Sequence, residues 1–287
     1  MTVISIQSQV VHGKVGNSAA VPALQAFGLT VAAVPIALLS NHPHYPTMRG
    51  RLVEPDLLAD LLQGVEERGL IADDTTIITG FLGSVANAAV VADFVARAKV
   101  RQPGLTYICD PVLGDDDLGG FAAPGLDRIF REELLPLADL ATPNAWELRH
   151  LAGADDRADL LSVAAVLRAR GTGRLAITGG TVTGPVTRTL VCDGGASWQI
   201  ETPRLPVRPA GTGDLFTALL AARLRTGADL VQAASLAVSG TFAVLARTDA
   251  PPWSEMPVEA CLPELIHPPR IFEAEPLPAS AEPERTA

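Results

Sequence analysis

The sequence predicts an α/β fold, a mostly parallel central sheet with helices on both faces. Three observations lead there. Strand and helix signals alternate through most of the 287 residues. The strand signals are continuous β-branched or apolar runs, which suit strands buried on both faces. No internal repeat and no linker divides the chain. A single domain is therefore expected over residues 1–275, with a tail at 276–287 whose Pro, Glu and Ala content suits disorder.

The elements follow in order. Val3–Ile6 reads as the first strand and leads through Gly13 and Gly16 into a helix over Asn17–Phe27, which Gly28 stops. Val31–Leu38 is the second strand. Residues 40–53, with Asn41, His42, Pro43, His44, Tyr45 and Pro46, form a polar, proline-broken excursion. Asp56–Arg68 carries leucines at helical spacing. Strand Thr75–Thr79, helix Val85–Lys99 and strand Leu105–Cys109 come next. Strand Leu137–Ala141, helix Ala145–Leu151, helix Leu160–Arg170 and strand Leu175–Thr178 follow. Thr187–Cys192 and Ser197–Thr202, joined through Gly194-Gly195, read as an antiparallel hairpin. Two long helices, Gly213–Arg225 and Leu230–Arg247, complete the fold.

Composition narrows the function classes. Hydrophobic residues make up 48% of the chain, enough for a substantial core. A net charge of −10 and the lack of any Lys/Arg cluster argue against a nucleic-acid or anionic-membrane surface. An anionic substrate would need local cations or backbone donors. Cys109, Cys192 and Cys261 are scattered, which fits reduced thiols better than a disulfide frame. The N-terminus has no basic signal-peptide region, and the longest apolar stretch, Val31–Leu39, is too short to cross a bilayer. A cytoplasmic location is expected.

Polar residues collect at the carboxyl ends of the expected strands, where open α/β sheets bind ligands. Ser8 ends the first strand, Gly80-Phe81-Leu82-Gly83 follows Thr79, and Asp110 ends the strand carrying Cys109. Pro143-Asn144 follows Ala141, and Thr178-Gly179-Gly180 ends a later strand. Gly211-Thr212-Gly213-Asp214 leads into the apolar run Leu215–Ala222. Two glycines let the backbone approach a ligand, and the free N–H groups of a helix start face an anion. Asp214 reads either as an N-cap or as a carboxylate working among those donors. Asn144 and Glu147, spaced i, i+3, read either as a capping box or as one side of a cation site. Asp115–Asp117 suits a solvated turn, whereas Asp110 stands where an idle charge is out of place. Hard oxygen ligands on two loops suit Mg2+ bridging to phosphates, and no His/Cys cluster supports zinc. His42 and His44 read equally well as ordinary loop residues, and Cys109 as core.

The G-T-G-D turn before a buried helix, Asn144-x-x-Glu147 and Asp110-Pro111-Val112 together resemble the ribokinase-like superfamily. Within it, three blocks resemble the pyridoxal kinases. They are Ile6-Gln7-Ser8-Gln9-Val10-Val11 with Gly13, Gly16 and Asn17-Ser18-Ala19-Ala20, then Ser40-Asn41-His42, then Gly80-Phe81-Leu82-Gly83-Ser84. The resemblance covers about residues 3–275. It implies a three-layer α/β/α sandwich with a small β excursion as a lid, and ATP-dependent phosphorylation of the 5′-hydroxymethyl group of pyridoxal and related B6 vitamers. On that resemblance Asp214 accepts the hydroxyl proton, and the N–H groups of Gly211, Thr212 and Gly213 stabilise the transferred phosphoryl group. Asp110 and Glu147 would hold Mg2+ through water, and Thr142, Asn144 and Thr178 would line the nucleotide phosphates. Arg204-Leu205-Pro206-Val207 would border the nucleotide. Ser8 would bond the pyridine ring, Phe81 would stack near it, and Asn41, His42, Pro43 and His44 would cover it. A homodimer and a monovalent cation beside Mg2+ belong to the same expectation.

The chain departs from the pattern in three places. Pro43 stands where many relatives carry Thr, and Phe81 where a Tyr is common, so two polar ring contacts are lost. No lysine accompanies Asp115–Asp117, which leaves three carboxylates facing a triphosphate. The nearest rival is a hydroxymethylpyrimidine kinase of the same superfamily, which the N-terminal block and the Ser-Asn-His excursion disfavour. A non-catalytic pyridoxal phosphate binder would have no use for a base at Asp214.

Overall fold

β1 (Thr2–Val10) runs through the middle of the sheet because every second side chain has an apolar layer to enter. Ile4 and Ile6 face one layer and Val3 the other, all fully buried. The computed structural model describes residues 2–278. Its strands are β2 (Thr30–Leu39), β3 (Gly50–Leu52), β4 (Thr76–Thr79), β5 (Thr106–Cys109), β6 (Gly114–Asp115) and β7 (Gly119–Gly120), followed by β8 (Leu140–Ala141), β9 (Arg174–Thr183), β10 (Val186–Asp193), β11 (Ala196–Pro203) and β12 (Ala274–Leu277). Among the described residues the main sheet has ten strands in the order β12-β11-β10-β9-β8-β5-β4-β1-β2-β3. Neighbours are parallel from β9 to β2 and antiparallel toward both edges. β6 and β7 form a separate small hairpin.

Helices cover both faces. On one side lie α2 (Pro55–Glu67), α3 (Val85–Arg101), α4 (Leu126–Ile129), α5 (Ala145–Ala152) and α6 (Leu160–Ala169). On the other lie α1 (Asn17–Ala26), α7 (Thr212–Arg225), α8 (Leu230–Leu245) and α9 (Leu262–Ile266). α2 buries Leu58, Leu62 and Val65, one stripe of an amphipathic helix opened by Pro55. α3 starts at Ser84, whose hydroxyl accepts from Asn87 N–H at 3.1 Å, and ends with Lys99 and Arg101 against the negative end of its dipole. This is the expected α/β/α sandwich with a mostly parallel sheet. Among the described residues no helix is long and apolar enough to cross a membrane.

Several boundaries differ from the sequence expectation, each for a physical reason. β1 continues past Ser8 to Val10, and the ladder shifts between Gln7 and Gln9. Ser8 there faces two residues of β2, just beyond Pro35, which has no N–H to give. β9 continues past Thr178 to Thr183 because β10 pairs along it, with register shifts at the glycines. The strand expected at Leu137–Ala141 keeps only Leu140–Ala141, since Leu135–Leu137 forms a 3₁₀ turn containing Pro136. The helical turns over Leu126–Leu137, the β6–β7 hairpin and β12 carry no strong periodicity and were not expected. β12 runs to Leu277, two residues past the expected domain edge, and residues 279–287 of the tail lie outside the described residues.

The core is the main stabilising element, and one helix face measures it. Phe94→Ala empties a fully buried position in α3 and is expected to cost about 3–5 kcal/mol. Leu57→Ala, at a half-exposed position in α2, should stay within about 0.5 kcal/mol. Urea midpoints compared at constant m-value measure both.

Candidate active site

α7 begins at Thr212, with Gly211 as its N-cap in the left-handed region at φ 81. A side chain at Gly211 would collide with the Lys14 carbonyl, so only glycine admits the close approach of the two loops. Asp214 is therefore the third residue of the helix and not its cap, which corrects the capping reading. Its carboxylate is partly buried and turned away from its own helix. Oδ2 accepts the Gly16 N–H at 2.8 Å, across 198 residues of sequence. Oδ1 faces Gly80, where a Cβ would sit 3.3 Å away. Burial raises the Asp214 pKa to about 6, against the Gly16 hydrogen bond, which holds it down.

Gly16 is itself fixed from below. It has φ 54, and a side chain there would strike the Ser8 carbonyl and hydroxyl. Next to it, Asn17 donates to the carbonyls of Gln7 (3.3 Å) and Val34 (3.4 Å) and accepts from the Ser5 hydroxyl at 2.7 Å. Gln7 Nε2 donates to the same hydroxyl at 3.0 Å. Ser5, Gln7 and Asn17 are fully buried, so this polar cluster is affordable only because its members satisfy one another. Ser8 thus stands beside the Gly16–Asp214 contact.

The acids expected at the nucleotide side do converge. A Cβ on Gly213 would lie 3.6 Å from Asp110 Oδ2, which places Asp110 against the first turn of α7. Thr217, one turn past Asp214, donates to Asp110 Oδ2 at 3.4 Å and shares a 2.8 Å hydrogen bond with Thr142. Burial, and then the charges of Glu147 and Asp214, push the Asp110 pKa well above the usual carboxylate range. Glu147 and Asn144 form a complete capping box: Asn144 Oδ1 accepts Glu147 N–H at 2.8 Å, and Glu147 Oε2 accepts Asn144 N–H at 2.8 Å. Glu147 Oε1 also accepts the N–H of Leu113 at 2.9 Å, and Asn144 Nδ2 donates to the Gly114 carbonyl at 2.7 Å. The pair therefore caps α5 and anchors the start of the β6–β7 hairpin. Burial raises the Glu147 pKa to about 7 although three backbone N–H groups oppose it. Among the described residues none of Asp110, Glu147 and Asp214 is ion-paired with a lysine or arginine. Thr178 N–H donates to the Pro143 carbonyl at 3.0 Å, which brings it alongside Asn144.

Arg204–Val207 follows β11. Arg204 N–H donates to the Pro185 carbonyl at 2.7 Å, so its anchorage is to the β9–β10 turn and not to the acids. Phe81 is partly buried in the turn after β4. The excursion is a closed loop: Asn41 Nδ2 donates to the carbonyls of His42 and Thr47, both at 2.9 Å, while Pro43 points to solvent. His42 is buried, 3.1 Å from Glu255 Oε1, and burial lowers its pKa more than Glu255 raises it. Tyr45 donates to the same oxygen at 2.9 Å, and Glu255 Oε2 accepts the Lys14 N–H at 2.9 Å. His44 stacks on Trp253.

Sequence reading missed Gly16 as the partner of Asp214, and Thr217, Arg208, Trp253 and Glu255. Thr217 carried a signal, a lone hydroxyl three residues after Asp214 in an apolar helix. Ser5 and Gln7 carried another, two polar residues on one face of a buried strand. Glu255 and Trp253 carried none, since Glu255 meets Lys14, His42 and Tyr45 and Trp253 meets His44, all more than two hundred residues away. Asp115 does build the turn expected of it, accepting from Asp117 N–H at 3.0 Å and Leu118 N–H at 2.6 Å.

Comparison with known proteins places this geometry. A family model described as phosphomethylpyrimidine kinase matches residues 56–251. A pyridoxal kinase of Leifsonia xyli is 37% identical over 254 residues, covering 86% of this chain and 89% of that protein. A pyridoxine/pyridoxal/pyridoxamine kinase of Bordetella bronchiseptica is 38% identical over 252 residues, with the same two coverages, 86% and 89%. Among solved structures, the pyridoxal kinase of Leishmania donovani in complex with ADP and pyridoxine superposes with a TM-score of 0.89. It is 28% identical, and the match covers 96% of this chain and 99% of that one.

The buried acids carry a stability signature. Asp214 and Glu147 have ordinary values of 3.8 and 4.5 and folded values of about 6 and about 7, so the folded chain holds more protons between those limits. Stability should therefore fall as pH rises from about 4 to about 7, in buffer free of divalent cations. Urea midpoints across that range check the sign, and Glu147→Gln should flatten the slope.

Proposed function

The chain belongs to the phosphomethylpyrimidine kinase family and, within it, to the pyridoxal kinases, and from that premise we propose how its own residues carry the reaction. The activity is ATP-dependent phosphorylation of B6 vitamers. The observation that carries the assignment of roles is the Gly16–Asp214 contact: a carboxylate with a pKa of about 6, aimed by an N–H from the other half of the chain, at the start of a 14-residue helix. The vitamer's 5′-hydroxymethyl oxygen attacks the γ-phosphorus of ATP, its proton passes to Asp214, and the bond to the ADP oxygen breaks. A base near neutrality suits a proton that turns acidic as the new bond forms. The first N–H groups of α7, at Thr212, Gly213 and Asp214, have no partner within the helix and meet the charge on the transferred group.

The residues fit a divalent cation. Asp110 and Glu147 are buried, the charge of Glu147 raises the proton affinity of Asp110, and neither has a basic partner among the described residues. Mg2+ at this point would neutralise charge on the phosphates. Asp110 is the side chain with a free oxygen to offer, while Glu147, already committed to three N–H groups, would act through water. Thr142 and Thr217 fix Asp110. On the substrate side Ser8 lies next to the base, and the excursion closes over the ring with Pro43 outward and Phe81 giving stacking without a phenol. Those two losses support a weaker grip on the polar ring substituents.

A substrate panel with ATP and Mg2+ tests the reading directly. Turnover of pyridoxal, pyridoxine or pyridoxamine well above that of 4-amino-5-hydroxymethyl-2-methylpyrimidine is expected, and the reverse order would reject it. Asp214→Ala should lower kcat by about 10²–10⁴-fold while ATP binding by calorimetry changes little. In the unaltered enzyme log(kcat/KM) should fall with unit slope as pH drops below about 6, because the base must be ionised.

A further inference from the structure

A line of stacked and paired side chains runs from the excursion to the β6–β7 hairpin, and the phosphoryl-transfer steps do not use it. His44, on the excursion, stacks on Trp253 with ring centroids 3.3 Å apart and planes 7° from parallel. The Arg208 guanidinium lies 4.7 Å from the centre of a Trp253 ring, and Trp253 N–H donates to the Arg208 carbonyl at 3.0 Å. Arg208 Nη2 then reaches Asp117 at 2.9 Å and Asp115 at 3.6 Å on the β6–β7 hairpin. That hairpin is the one whose start is anchored to Asn144 and Glu147. Trp253 and Arg208 thus tie the vitamer-side excursion to the nucleotide-side hairpin, Arg208 standing six residues before Asp214 in the chain.

The tie is incompletely satisfied. Arg208 Nη2 is buried and has no aligned hydrogen bond among the described residues, although Asp117 is close enough for one. The two carboxylates stand on a two-residue-stranded hairpin, and Asp117 is two-thirds exposed, so this pairing is weak. A guanidinium fork matches phosphate oxygens well and binds them bidentately. It is also the cation that the acidic loop lacked in the sequence.

We propose that Arg208 is a positioning residue for ATP, exchanging Asp115 and Asp117 for phosphate oxygens so that nucleotide binding releases the hairpin from the excursion. This rests on the ATP-dependent reading above. Asp115 and Asp117 compete with ATP for one cation, so removing their charge should help the nucleotide, whereas a purely structural ion pair would give the opposite sign.

The test uses the full-length enzyme and four variants: Arg208→Ala, Arg208→Lys, the double variant Asp115→Asn with Asp117→Asn, and Trp253→Phe. Asparagine keeps the carbonyl that Asp115 offers to the turn. Arg208→Ala should raise the KM for ATP about tenfold with the vitamer KM within about twofold, and Arg208→Lys should fall between it and the unaltered enzyme. The double Asn variant should lower the KM for ATP about threefold. A non-hydrolysable ATP analogue should shift tryptophan emission, and Trp253→Phe should abolish that shift. An ATP KM within twofold in both Arg208 variants, a raised KM in the double variant, or an emission shift independent of Trp253 would each overturn the proposal. If these shifts occur in an enzyme that fails to phosphorylate any B6 vitamer, the latch stands and the substrate reading falls.

Discussion

One hydrogen bond holds the site together: the Gly16 N–H to the Asp214 carboxylate. It joins the loop after the first strand to the first turn of α7, and each side needs glycine to reach the other. Gly211 lets α7 start against the Lys14 carbonyl, and Gly16 leaves room for Ser8. The buried Ser5–Gln7–Asn17 cluster fixes the loop from beneath. The position of the Asp214 carboxylate is thus set from the centre of the sheet.

The electrostatics follow from that placement. A chain with a net charge of −10 must receive a polyanion, and three of its carboxylates, Asp110, Glu147 and Asp214, gather around the start of α7 and α5. Positive potential comes from α7's unpaired N–H groups and its dipole, and on the proposed reading would be completed by a cation beside Asp110 and Glu147 and by Arg208. Low local dielectric makes these few sources strong. The same burial that costs stability raises the proton affinity of all three acids.

The sheet's central strands and the long helices were legible because their signal is local: apolar runs, helical spacing, glycine stops. Asp110, Asn144, Glu147 and the G-T-G-D turn were legible as types of residue at strand ends. What the sequence could not give was the partner of each. Asp214 looked like a cap because helix starts favour Asp, yet the helix begins two residues earlier and Gly211 takes that role. Glu147 turned out to be a cap as well as an acid, so the two readings of Asn144-x-x-Glu147 were never exclusive. Arg208, Trp253 and Glu255 stayed invisible because their contacts join segments with no shared local pattern. Thr178 and Ser8 were placed at strand ends that pairing with neighbours carries further.

Cys109 stands next to Asp110 and has a further consequence. Its thiol is fully buried, and burial lifts its pKa to about 12, so thiolate is negligible at neutral pH. Cys192 and Cys261 are also buried and free, with thiols shifted upward. Thiolate is the form that oxidants and alkylating agents attack. A sulfur sits one residue from Asp110, yet burial keeps the three thiols in the protonated form that such reagents attack slowly.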